Sequence, residues 1–149
     1  MHWATVYDLD QVGFKNWYFC LFGLLPLTFG LLNPSFEPWR RVMAALFAVF
    51  GAVFMAATFV WSLWSYLDAR SALHDGGVGI VEGTVANFHP GTQRHTEWFD
   101  VGTMRFQYSD DDLWPGFKTT QPRGGPVQAG EYVRIAYYKG EILRLEIRK

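Results

Sequence analysis

The chain has 149 residues, a formal net charge of -1 and a mean hydropathy close to zero, from 13 basic and 14 acidic residues. That balance excludes the basic face a nucleic-acid partner needs, and the single cysteine excludes an internal disulfide. The average hides two unlike halves, because only four basic residues (Lys15, Arg40, Arg41, Arg70) and four acidic ones (Asp8, Asp10, Glu37, Asp68) precede His74.

Residues 1–15 carry Asp8, Asp10 and Lys15 and read as an N-terminal juxtamembrane tail rather than a cleaved signal. Trp3, Val6 and Tyr7 are expected to pack on the later β domain or to lie at the membrane surface. Residues 16–74 then read as a transmembrane helical hairpin. Residues 17–33 are apolar apart from Thr28 and Asn33, and the 26 residues from 42 to 67 carry no charge. A helix needs about 20 such residues to cross the hydrocarbon core. Trp17 and Tyr18 at one end of the hairpin, with Trp61, Trp64 and Tyr66, match one aromatic belt, and Phe36 with Trp39 matches the other. Pro26 is expected to kink the first span.

Small residues suggest how the spans pack. Ala44, Ala48, Ala52 and Ala56 recur at every fourth position, facing Gly23 and Gly30 in the expected pairing. Such spacing lets backbones approach closely, within one chain or between copies. Cys20 falls in the apolar run and reads as a small hydrophobe. Arg40 and Arg41 on the connecting loop, against Lys15 and Arg70 on the other side, favour an inside loop. Both termini and the second half would then be extracytoplasmic.

Residues 75–149 read as a soluble β domain. Asp75-Gly76-Gly77 is the expected helix stop, since glycine accepts the left-handed C-cap conformation. Val81 and Val85 alternate with Glu82 and Thr84; Phe99, Val101, Met104, Phe106 and Tyr108 continue the pattern around a turn at Gly102. Val133, Ile135 and Tyr137, then Leu143, Leu145 and Ile147, flank a Lys139-Gly140 turn. About five short strands without helical period predict a small all-β barrel, OB-like or SH3-like. The fold class expected is therefore membrane α + β, a two-helix transmembrane hairpin followed by that barrel.

The runs GIVEGTVANFHP, FDVGTMRFQYSD and PGFKTTQPRGGPVQAGEYVRIAYYKGEILRLEI, with their G-x-V, F-x-Y-S-D and G-x-x-V-x-I-x-Y elements, resemble uncharacterised bacterial small membrane proteins. Members of that family pair transmembrane helices with a small C-terminal β domain. The resemblance implies a bacterial cytoplasmic-membrane location; it implies no activity, ligand or catalytic residue.

Candidate sites are few. Asp110, Asp111 and Asp112 are consecutive, unlike the alternating ligands of a calcium loop, and read as a solvated acidic loop. His89 and His95, with Asp100, fit no standard zinc spacing. The long stretch from 109 to 129 holds Trp114 and Phe117, and loops of that length are usually functional or disordered. Those two rings with the three aspartates form the expected partner surface, set against a packing role of equal weight. No nucleophile motif, metal set or cofactor site is expected. The leading function is a membrane-anchored β-domain interaction protein at the bacterial envelope, whose partners are the lipid bilayer and a protein, or a second copy through the helices. The alternatives are an accessory subunit of a larger transport or envelope complex and, last, a membrane-bound metal-dependent hydrolase.

Overall fold

Two units make up the chain, one formed by Met1–Gly13 with Ser65–Lys149 and the other by Phe14–Trp64. The structure, a computed structural model, describes residues 2–32, 37–91 and 96–149. Asn33 and Phe36, the expected end of the first span and part of its aromatic belt, and His95, the second candidate zinc ligand, lie outside the described residues.

The unit Phe14–Trp64 is apolar and helical. Its first segment is a 3-10 helix over Asn16–Gly23 followed by α2, Leu24–Leu32. Pro26 falls in the first turn of α2, where a backbone N–H has no intrahelical carbonyl to meet. The helical winding changes between Gly23 and Leu24, just before the proline at which a kink is expected. Helix α3, Pro38–His74, has 37 residues and runs on into the other unit. It is long and apolar enough to cross a membrane, with a mean hydropathy of 2.3 over its most apolar window and only 6 % of that window buried. In its apolar part the Thr58 hydroxyl is satisfied within the helix, donating to the Phe54 carbonyl at 2.7 Å, as Thr28 does to Leu24 in α2.

The two apolar helices meet along Gly23, Gly30, Ala44, Ala48 and Gly51. A methyl group on Gly51 would sit 2.5 Å from the Leu27 nitrogen and 2.6 Å from the Gly23 carbonyl oxygen. One on Gly30 would sit 2.5 Å from the Ala48 nitrogen and would also strike the Ala44 carbonyl. Ala52 and Ala56, expected on this seam, are exposed instead. At 3.6 residues per turn, each four-residue step rotates about 40° past a full turn, so a strict fourfold repeat drifts off the contact. The packed positions alternate steps of four and three, through Ala44, Ala48, Gly51, Met55 and Thr58.

The other unit is a six-stranded antiparallel sheet ordered β1-β6-β5-β2-β3-β4. The strands are β1 Trp3–Asp8, β2 Gly79–His89, β3 Glu97–Val101, β4 Met104–Tyr108, β5 Tyr132–Tyr138 and β6 Glu141–Arg148. The sheet is open, with β1 and β4 at its edges, so the strand pairing does not close the expected barrel. The sixth strand comes from the N-terminal tail: Trp3 to Asp8 pairs with Arg148 to Arg144 of β6, with Val6 bulged out. Asp8 then caps the short helix α1, Leu9–Val12, accepting from the Asp10 N–H at 3.1 Å.

Local chemistry sets the turns. Gly76 has φ 73°, and the Gly77 N–H closes back on the Ala72 carbonyl at 2.9 Å, the Schellman bond that ends α3. Lys139 and Gly140 both have positive φ (52° and 87°), the type I′ signature that matches the right-handed twist of the β5–β6 hairpin.

The main core gathers Val85, Phe99, Phe106, Tyr108, Ile135 and Leu145 with their neighbours. Leu143 does not join it, although the alternation places it with Leu145 and Ile147. Ala136 pairs with Arg144 and Tyr137 with Ile142, which leaves Leu143 as the bulged residue. Ile142 takes its place in the main core, and Leu143 packs on the opposite face against Leu9 and Ala69.

Replacing Gly30 with Leu is expected to cost the full-length protein in detergent about 2 kcal/mol through overpacking. Ala52→Leu is expected to stay within about 0.5 kcal/mol of the parent, as exposed substitutions do. Thermal unfolding followed by circular dichroism separates the two, and equal effects would place the seam elsewhere.

Candidate functional site

The segment between β4 and β5 packs as part of the sheet unit. Phe117 is 3 % exposed and lies in the main core, in edge-to-face contact with Tyr108 and Tyr7 at 5.1 and 5.6 Å. Its N–H donates to the Ile142 carbonyl at 2.8 Å, which ties the loop to β6. Val127 is fully buried in the same core. Of the two roles of equal weight expected for Phe117, partner surface and packing, it takes the packing one: an aromatic of this size is drawn into the gap the open sheet leaves, because that burial removes a large apolar area from water. Trp114 stays on the surface at 45 % exposure, beside Leu113 at 52 %.

The aspartate run acts on the loop itself. The Asp110 carboxylate accepts from the Thr120 N–H at 3.2 Å and from its hydroxyl at 2.5 Å, and lies 3.5 Å from Arg123. The Asp112 carboxylate accepts from the Ser109 N–H at 2.7 Å, and its carbonyl accepts from the Lys118 ammonium. Asp111 points to solvent. Two of the three carboxylates are thus local caps of backbone donors, the usual use of aspartate in turns. Burial lowers the Lys118 pKa, and burial with the neighbouring Asp112 charge raises that of Glu141.

Beneath this loop lies a carboxylate that the sequence reading passed over. Glu97, the first residue of β3, is completely buried. It accepts from the Tyr108 hydroxyl at 2.5 Å, the Gln121 N–H at 2.7 Å and the Gly91 N–H at 3.3 Å. One side chain therefore joins β3, β4 and the loop around 121. Burial and the Glu97 carboxylate together push the Tyr108 hydroxyl far above its ordinary pKa. The only advance signal was a glutamate at an inward position of an alternating strand.

Two outward faces of the sheet carry aromatic rings under cations. On β2–β4, Trp98 stacks on His89 with centroids 5.4 Å apart, and the Arg105 guanidinium lies 4.2 Å from the Trp98 ring. Arg105 also forks onto Asp100 at 2.8 and 3.1 Å, and Asn87 donates to the same carboxylate at 2.9 Å. His89 is thus a strand residue against a ring, with Asp100 engaged elsewhere. On β1, β5 and β6, Arg134 lies 4.3 Å from the Trp3 ring and Arg148 lies 4.0 Å from that of Tyr132. Trp, Tyr and Arg are the residues that dominate protein interfaces. The Trp3 face was not singled out from sequence, because its partners come from strands far apart in the chain.

Of the expected site residues, then, Trp114 and Asp111 remain on the surface, Phe117 is core, and Asp110 and Asp112 hold the loop. Gly23, Gly30, Ala44 and Ala48 meet at the helix seam, and Ala52 and Ala56 do not. Among the described residues, no group of three or more His, Cys, Asp or Glu is gathered where it could hold a metal ion. Comparison with protein-family models, with curated proteins and with solved structures gives no match to this chain.

Glu97→Ala is expected to destabilise the sheet unit by about 3 kcal/mol, since it strands two buried donors and a third that is part-buried. Glu97→Gln, which keeps the shape, is expected to cost less than half as much, read from denaturant midpoints of the full-length protein. Arg105, aided by Asn87, holds the Asp100 carboxyl down to about 2. Its contribution is therefore complete above the unfolded carboxyl value of about 4 and is lost as pH falls through about 2. Asp100→Asn is expected to flatten that acid limb, measured as the unfolding midpoint against pH.

Proposed function

We propose that the chain is a membrane-anchored interaction module of the bacterial cytoplasmic membrane, with an apolar helical hairpin as anchor and the open sheet as the part that meets a partner. The observation that carries the reading is the pairing of the first strand with the last. β1 precedes the apolar unit and β6 ends the sheet, yet the two are hydrogen-bonded neighbours. The chain leaves the sheet unit after Gly13 and returns at Ser65, so any crossing made by α3 must be matched by a second one.

The short first segment can supply that crossing. Eight residues of 3-10 helix at about 2.0 Å each and nine of α-helix at about 1.5 Å each reach about 29 Å, close to the hydrocarbon thickness of about 30 Å. The tighter winding lengthens the segment without adding residues. Arg40 and Arg41, between the apolar segments, favour a cytoplasmic connection and an extracytoplasmic sheet.

The partner surface of this reading is the Trp3, Tyr132, Arg134 and Arg148 face. It presents rings already stacked under guanidinium groups, so little side-chain entropy is left to lose on binding. A second reading, assembly into a larger complex through the membrane, is favoured by one observation. Val53, Ala56, Ala57, Val60, Trp61 and Trp64 line an open apolar groove on α3, where Ala56 is left off the internal seam.

Epitope tags at the two termini are expected on the same, extracytoplasmic side in intact spheroplasts, with the protein retained in membranes after alkaline carbonate. Tags on opposite sides would sink the hairpin. Trp3→Ala with Arg134→Ala is expected to abolish site-specific photo-crosslinks to a partner from this face in native membranes while leaving membrane retention intact. Unchanged crosslinks would remove this face from the reading.

A further inference from the structure

The stretch of chain from Asp112 to Lys118 is strapped onto the start of β6. The Phe117 N–H meets the Ile142 carbonyl at 2.8 Å, and Gly116 just before it lays bare backbone on the Glu141 side chain. A methyl group on Gly116 would stand 3.3 Å from a Glu141 carboxylate oxygen. Glu141 is half-buried under this strap. It also lines a shallow cleft with Ser65, Asp68, Trp114, Tyr138 and Lys139, with room for about one water molecule.

No donor among the described residues reaches the Glu141 carboxylate, because the nearby cations are engaged elsewhere. The Lys118 ammonium donates to the Asp112 carbonyl; the Lys139 ammonium pairs with Asp68 at 2.8 Å and meets the Tyr138 hydroxyl. Arg144 donates to Asp8 at 2.8 Å. The Asp112 carboxylate accepts from the Ser109 N–H, yet its charge is felt at Glu141. From β1 the Tyr7 hydroxyl, buried near Tyr66, faces the same carboxylate. Two carboxylates, Asp112 and Glu141, thus share the field of one ammonium group, Lys118, at the rim of an apolar core.

A carboxylate partly out of water, without a donor and beside a like charge, favours its neutral form. Burial raises the Glu141 pKa first and Asp112 second, with Lys118 opposing them. Once the strap lifts, Glu141 returns to water and to its ordinary acidity. The strap is therefore held most firmly below the ordinary glutamate value of about 4.3, and that hold is lost as pH rises through the raised, docked value.

We propose that Glu141 is an acid-sensitive latch for the strap: its neutral form keeps residues 112–118 seated on β6, and its ionised form lets them lift, breaking the Phe117–Ile142 hydrogen bond and widening the cleft. The latch lies wholly within the sheet unit. It goes beyond the partner reading above and does not depend on it, nor on α3 crossing a membrane.

The test is amide exchange of the full chain in detergent, read by mass spectrometry on peptides covering residues 113–118 and corrected at each pH for their intrinsic rates. Protection of this stretch is expected to rise at least about threefold from about pH 7.5 to about pH 4.5, while peptides from β3 keep theirs. Glu141→Gln is expected to show the high, acid-like protection throughout that range. Asp112→Asn removes the like charge and is expected to move the midpoint of the rise to lower pH. Lys118→Met removes the compensating charge and is expected to move it higher. Flat protection in the parent overturns the latch, as does a rise that persists in Glu141→Gln. A rise of equal size in β3 marks a change in the stability of the whole unit and overturns it too. Should Glu141→Gln fail to fold, the two midpoints decide, and a midpoint that stays put in both variants overturns the latch.

Discussion

The hydrogen-bonded pairing of β1 with β6 is the constraint on which the rest of the structure depends. It joins the first described residues to the last, with mutual bonds between the His2 and Lys149 backbones at 3.1 and 3.0 Å. The ring it closes includes the whole apolar unit. The entropy of closing so large a ring grows only logarithmically with its length, so a short strand suffices to hold it. Polar contacts reinforce the join: Arg144 donates to Asp8 at 2.8 Å, and Asp10 meets Arg70 and His74 of α3 at 2.9 Å each. These pairs are partly or well exposed, and each contributes little beyond fixing register. The ladder itself, with Leu9 buried against Ala69 and Leu143, does the holding.

An open sheet leaves one side of its core uncovered, and the segment between β4 and β5 answers that need. Phe117 and Val127 fill the gap, and Glu97 ties the covering segment from beneath. A buried carboxylate is costly unless its lone pairs are met, and here three donors meet them. Removing it therefore does more harm than its net contribution would suggest, since the Tyr108 and Gly91 donors are buried. The aspartates above serve the same segment at its surface. What looks like a binding loop in composition is largely a structural cover, with Leu113 and Trp114 its large apolar residues left half-exposed.

The sheet's outer faces show a different economy. Arginines lie over Trp98, Trp3 and Tyr132, so long side chains that would be mobile on a surface are held flat. Such faces are rigid before any partner arrives. In the apolar unit the corresponding device is the close backbone approach at Gly23, Gly30 and Gly51, which works through van der Waals contact alone and suits surroundings in which burial of apolar groups brings no advantage.

The sequence by itself determined whatever depends on neighbours within a few residues. The charge-free run to Leu67, the glycine stop after His74, the Lys139-Gly140 turn and the alternation in β2 to β6 all follow from periodicity or from the φ a residue can adopt. Only the tertiary structure decided what depends on residues distant in the chain. The tail is a strand because β6 offers an edge, and the sheet stays open because β1 takes that edge. Phe117 is core because the open side needs filling, and Ala52 and Ala56 miss the seam because contact follows 3.6 residues per turn rather than four. A single strand or helix cannot specify such facts, since each is a property of the surface it meets.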